Sequence, residues 1–185
     1  MGLLTDYFAA TASEIDGVPV EVGPFPTPPP PPAKPKASGG LFGLFRSRPE
    51  PVPVVEAPPA VEGPTLPAFA SKGIDAQRIA LLDSLLTGIP FGEEEWDGPA
   101  TTPMRRDSED SRWIFALRRE LRDAIAVLDD NAASALAARW AADTDWMGDT
   151  DPESVQALRD FIGDLRELAR TAAESGRDLY LWVCL

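Results

Sequence analysis

Apolar side chains return along this chain at two different intervals, and the change of interval marks the elements. In "KGIDAQRIALLDSLLTGIPF", Ile79, Leu82 and Leu86, with Leu81 and Leu85 beside them, recur at three and four. That spacing predicts a core helix of about three turns. Asp75 stands where an N-cap is needed, Ile74 and Ile79 can staple the entry, and Gly88 supplies the stop. Ile114, Leu117, Leu121, Ile125 and Leu128 keep the same interval, with Arg118, Arg119, Arg122 and Asp123 on the other side. They predict a second helix from near Ser108 to about Leu128. The Ala-rich "NAASALAARWAADTDW" predicts a shorter third helix capped by Asp130 or Asn131. A fourth has the clearest start: Asp151 as N-cap, Pro152 at the first helical position and Glu153 in the first turn, with Gly176 at its end. Val155, Leu158, Ile162, Leu165 and Ala169 form its buried stripe.

The interval then falls to two. In "RDLYLWVCL", Leu179, Leu181 and Val183 alternate with Tyr180, Trp182 and Cys184, which predicts a strand buried on both faces. Unpaired backbone groups in a core are costly, so this strand needs a partner. Residues 3–10, "LLTDYFAA", are the best candidate, and "GVPVEV" at 17–22 is a weaker strand whose Pro19 suggests an edge. The expected fold is α+β: about four helices on a small sheet that pairs the N-terminal and C-terminal strands, with a long Pro-rich disordered insertion. The expected organisation is an N-terminal strand region at 1–23, a Pro-rich tether at 24–70, and an acidic, mainly helical domain at 71–185.

Composition sharpens the middle of that picture. Of the 20 prolines, 15 lie between Pro24 and Pro67, and "PTPPPPPAKP" is expected to be close to polyproline II, extended at ~3.1 Å per residue. Net charge is −4 over residues 1–23, +1 over 24–70 and −10 over 71–185, for a total of −13. The acid therefore sits on the parts expected to fold. Such a charge disfavours nucleic acid and an anionic membrane surface, and favours a partner with a basic surface. A single cysteine, Cys184, has no internal partner and points to a reducing cytoplasm. "MGLLTDYFAA" lacks the features of a secretory signal, Asp6 stands where a myristoylation pattern wants Ser or Thr, and no run has the length of a membrane span.

The chain has no histidine. Ser-His-Asp and Cys-His catalysis and nearly all zinc sites are thereby excluded, and no catalytic residue, metal ligand or cofactor is assigned. Carboxylates are plentiful in "GEEEWDG" (Glu93, Glu94, Glu95, Asp97) and "DTDWMGDTDPE" (Asp143, Asp145, Asp149, Asp151, Glu153). The second loosely suggests a hard-cation loop, yet its spacing departs from the EF-hand and Asp151 is already spoken for as a cap. Three tryptophans, Trp113, Trp140 and Trp182, fall within expected core elements. Trp96, in the acidic loop beside Glu94 and Glu95, is either a cover for the first helix or an anchor for a basic protein partner.

One apolar island interrupts the tether: "SGGLFGLFRSR" places Leu41, Phe42, Leu44 and Phe45 before Arg46 and Arg48. Burying four such side chains yields roughly 6 to 12 kcal/mol gross, and ordering about six backbone residues costs a similar amount. Alone it binds weakly; tethered to a domain that makes another contact it becomes useful. It can dock in an apolar groove of a partner, make a weak peripheral membrane contact, fold back on the domain, or serve as an inert spacer.

The order "IDAQRIALLDSLLTG", then a helix ending "AIAVLDD", then "RWAADTDW", then a long helix and "GRDLYLWVCL" is similar to small actinobacterial proteins of no known function. More distantly it resembles the YfbM-like family. The similarity covers residues 71–185 and, more weakly, "DYFAA" at 6–10. It implies a shared order of helices and final strand, and no activity, since that family offers no catalytic residues to transfer. The leading expectation is a non-enzymatic interaction protein of immunity, inhibitor or adaptor type, using the acidic domain and the island. A carboxylate-based enzyme, with or without a divalent metal, using Glu93–Glu95 or Asp145–Asp151, and a peripheral membrane-docking protein are the alternatives.

Overall fold

The computed structural model describes residues 4–21, 23–25, 65–90, 101–107, 111–143 and 150–184. At its centre β5 (Asp178–Cys184) runs antiparallel to β1 (Leu4–Ala10), with Leu4 opposite Cys184 and Ala10 opposite Asp178. The two ends of the chain thus form the middle of one sheet, in the order β2-β1-β5-β4-β3. Here β2 is Ala68–Lys72, β3 is Thr101–Arg106 and β4 is Arg112–Leu117. All four pairings are antiparallel. The fold is α+β, as the pattern predicts.

Alternation along the strands sends two sets of side chains to two cores. Tyr7, Ala9, Phe115, Leu117, Leu179, Leu181 and Val183 face a layer of four helices: α2 (Ala76–Thr87), α3 (Arg119–Ala126), α4 (Asp130–Ala141) and α5 (Pro152–Ser175). Phe8, Ala10, Ile114, Tyr180 and Trp182 face the other way. They are covered by Ile15 of α1 (Ala12–Ile15), by Val18 and Val20 after it, and by Leu66. Gly23 lies against Trp182 at φ +81°, and a Cβ there would stand 2.9 Å from the indole. Trp182 Nε1 donates to Val20 O at 2.7 Å, and Arg105 of β3 donates to Ile15 O and Val18 O at 3.1 and 2.8 Å. The segment after β1 is therefore a built cover for the second face.

The caps act where the sequence places them. Asp75 accepts from Arg78 N and Gly88 closes α2 at φ +73°; Asp151 accepts from Glu153 N and Ser154 N, and Gly176 closes α5 at φ +67°. The third helix starts one residue early, with Asp129 accepting from Ala132 N at 2.7 Å in place of Asp130 or Asn131.

Besides β3, which occupies a stretch expected to be loop, three stretches depart from expectation. The predicted helix from Ser108 to Leu128 is β4 followed by α3, broken at Arg118, whose φ and ψ of −64° and 146° are extended. Ile114 and Leu117 fit both intervals, but Trp113 and Phe115 complete an alternating strand that fills both cores. Asp107 accepts from Ser111 N, Ser111 Oγ and Arg112 N, and so ties the start of β4 back to the end of β3. Residues 17–21 form turns that bury Val18 and Val20, where a strand was expected. Finally, Leu66 is core and Ala68–Ala70 are sheet, although both fall inside the expected tether. Among the described residues no helix is long and apolar enough to cross a membrane.

Candidate functional site

β2 is an edge of the sheet, and an aromatic cluster fixes it in place. Phe69 stacks on Tyr7 at 5.2 Å and meets Phe161 of α5 edge-on at 5.6 Å, while Tyr7 and Phe161 stand 5.2 Å apart. The Tyr7 hydroxyl donates to Ile74 O at 2.9 Å, and burial raises its pKa well above the ordinary tyrosine value. Where β2 and α5 draw apart, a cavity of about 390 Å³ opens. Phe69 and Leu168 form its apolar base; Pro67 and Ala68 stand on the strand side, Asp164 and Glu167 on the helix side.

The charge of this groove follows from the phase of α5. Glu153, Asp160, Asp164, Glu167 and Glu174 recur at seven, four, three and seven residues, which lays them along one stripe of a helix. Arg159, Arg166 and Arg170 fall on a different stripe. Two of these arginines are engaged inside the fold. Arg166 pairs with Asp130 at 2.7 Å, and Arg170 donates to Ala126 O and Leu128 O at 2.8 and 3.1 Å, meeting carbonyls at the C-terminal end of α3. Asp164 and Glu167 make no hydrogen bond or ion pair among the described residues. The helix thus keeps its cations for its own neighbours and presents acid beside the apolar groove. A second cavity of about 360 Å³, between α4 and α5, is lined by Asp130, Asp160 and Asp164 together with Arg159 and Arg166, so acid and cation are mixed there.

Two other carboxylates are perturbed. Asp83 of α2 is only 2 % exposed and forms an ion pair with Arg118 at the β4–α3 junction. Burial raises the Asp83 pKa, and Arg118 opposes that shift. Asp83 Oδ1 and Arg118 Nε are buried without a hydrogen-bond partner among the described residues, so the pair is incompletely satisfied. It ties α2 to the β4–α3 junction, with the carboxylate out of solvent and the guanidinium partly exposed. Asp6 of β1 faces the second core, opposite Trp182 and Ala70, and desolvation raises its pKa from 3.8 to about 6.

The residues singled out by sequence are distributed differently. Leu41, Phe42, Leu44, Phe45 and Arg46 lie outside the described residues, as do Glu93, Glu94, Glu95, Trp96 and Asp97 of the first acidic cluster and Asp145 and Asp149 of the second. Asp151 is a cap, and among the described residues no group of His, Cys, Asp or Glu could hold a metal ion. Trp113 belongs to β4 in place of the expected helix; it stacks on Phe115 with centroids 6.0 Å apart, under Arg106. Trp140 and Trp182 are core, and Cys184 is half-buried against the second core. The groove residues Phe69, Asp164, Glu167 and Leu168 were not singled out. Sorting the charges of α5 by helical phase would have exposed its acidic stripe, but nothing local to Phe69 marks it as the other wall. Compared with protein-family models, with curated proteins and with solved structures, the chain matches none of them.

Proposed function

We propose that this chain is a non-enzymatic protein-binding protein whose domain receives a basic partner in the groove between β2 and α5. Leu41, Phe42, Leu44, Phe45 and Arg46 are its second contact, on composition alone. The reading rests on one observation: Asp164 and Glu167 of the acidic stripe of α5, without a hydrogen bond or ion pair among the described residues, border an apolar groove. An apolar base with a charged rim is the anatomy of a protein interface, in which the base supplies affinity and the rim supplies steering and selectivity. A net charge of −13 adds a long-range attraction for the same class of partner.

The carboxylate-enzyme alternative places its site at Glu93–Glu95 or Asp145–Asp151, of whose carboxylates only Asp151 is among the described residues, as a helix cap. The described carboxylates with raised pKa are Asp83 and Asp6. Asp83 is buried and paired with Arg118, and Asp6 has Ala70 and Trp182 for cross-strand neighbours, with no second carboxylate among them. The groove carries the better case.

The test is charge reversal at the rim. Asp164→Lys with Glu167→Lys, both exposed on α5, should keep the wild-type melting temperature. They should weaken binding to a partner captured by the wild-type chain by at least about ten-fold, since each reversed rim charge is worth roughly 1 kcal/mol. Wild-type binding should also weaken from low to high salt. Unchanged affinity in the double variant would remove the groove from consideration.

A further inference from the structure

The hydrogen-bonding pattern of β2 says more about what the groove accepts. Ala9 N donates to Pro67 O at 2.9 Å, which makes these two a hydrogen-bonded pair. Bonded and non-bonded pairs alternate along an antiparallel ladder. With Tyr7 opposite Phe69 and Thr5 opposite Ser71, it is Phe69 and Ser71 that turn their backbone toward β1. Ala68, Ala70 and Lys72 turn their N–H and C=O groups outward, and no described residue pairs with them. Ala70 is exposed and small, so nothing in the strand hinders approach. Natural edges are commonly guarded by proline, by a bulge or by inward charge. Pro67 stands just before this strand and Lys72 closes it, but the positions from Ala68 to Ser71 between them carry no proline, charge or bulge.

We infer that the outer edge of β2 takes up an extended segment of a basic protein partner as a sixth strand of the sheet. The inference rests on the reading of the β2–α5 groove as the binding face. It adds backbone pairing as the mode of recognition, with alternate side chains as the selectivity. Side chains of the added strand on the helical side follow Phe69 and Ser71 and enter the cavity over Phe69 and Leu168. Apolar residues fit that base. A Lys or Arg there can lay its stem across it and set its charge beside Asp164 and Glu167. Side chains on the opposite side pass over Ala68 and Ala70, where bulk is tolerated. The partner segment is thus extended, free of proline at its pairing positions, with Lys or Arg at the alternate positions that face α5 and apolar residues at those between.

The test uses the full chain and a fluorescent synthetic peptide of ten residues that alternates valine with lysine and arginine. A second peptide carries the same side chains with alternate amides N-methylated. The first should bind, and the second should bind at least about ten-fold more weakly because it cannot complete the ladder. Ala70→Pro removes only an outward N–H, a change that edge strands accept. It should weaken the first peptide to a similar extent while the melting temperature holds. Should Ala70→Pro unfold the domain, the N-methylated peptide gives the same answer on wild-type protein. If charge reversal at Asp164 and Glu167 abolishes binding while N-methylation and Ala70→Pro do not, the acidic groove stands and strand addition falls. If the plain peptide binds neither the wild type nor the Leu41, Phe42, Leu44, Phe45 to Ala variant, both readings fall. Two results reassign the edge and overturn the inference. One is binding only after those four alanine changes, which would place the chain's own segment there. The other is a concentration-dependent dimer lost in Ala70→Pro, which would place a second copy there.

Discussion

Asp6 and Asp83 show how position, and not residue type, sets the behaviour of a carboxyl group. Asp6 sits on a strand between β2 and β5, and desolvation lifts its pKa from 3.8 to about 6. The folded state therefore holds a proton that the unfolded chain releases. Its contribution is complete below about pH 4 and is lost as pH rises through about 6. Asp6→Asn should match the wild type in acid and exceed it at pH 7 by on the order of 2 kcal/mol, read from denaturant midpoints across pH. Asp83 differs because a cation faces it. Arg118→Met would leave a buried carboxylate alone and should cost about 3 kcal/mol at neutral pH, less in acid, where the carboxyl is neutral. Asp83→Leu together with Arg118→Met should recover most of that loss, because an apolar pair of similar volume has no desolvation to repay. A double variant as unstable as the single one would show that packing, and not charge, is what Arg118 supplies.

At the scale of elements, the helices with strong end signals were the most legible. Asp151, Pro152 and Gly176 bound α5, and Asp75 and Gly88 bound α2, because caps act within a few residues of chain. Asp151→Ala should cost about 1 kcal/mol by leaving the N–H groups of Glu153 and Ser154 without their acceptor. Thermal melts that show no change would mean that Pro152 and the packing of α5 hold the helix start unaided. Strands were less legible. The residues of β4 carry an interval that suits a helix as well as a strand, and its real determinant is pairing with β3 and β5. β3 contains Pro103 in mid-strand, where the register shifts, and β2 is short and follows a proline-rich stretch. Each of these reads locally as loop.

For the whole molecule, the joining of the chain ends is the organising event, and it carries its own electrostatic link. Arg177, just before β5, grips Glu14 of α1 with two hydrogen bonds of 3.0 and 2.8 Å. That contact, with the backbone N–H of Thr11, lowers the Glu14 pKa from 4.5 to about 2. Its contribution is present above about pH 4.5 and disappears as pH falls toward 2. Glu14→Gln should therefore flatten the acid limb of the stability profile over that window and leave the shape above it unchanged. An unaltered acid limb would show that the pair is too well solvated to matter. From sequence alone, the mixed class, the paired terminal strands and the caps of two helices could be stated, because intervals and end signals are local. Net acidity was equally plain. The candidate site was not. It brings Phe69 and Leu168 together from distant parts of the chain, and although the phase of α5 sets which charges share a stripe, only packing sets that stripe beside β2. The outer edge of β2, unpaired among the described residues, is likewise a property of the strand order and of no single segment. Periodicity specifies which face of an element is apolar; which surfaces remain uncovered is decided by how the elements compete for partners when they pack.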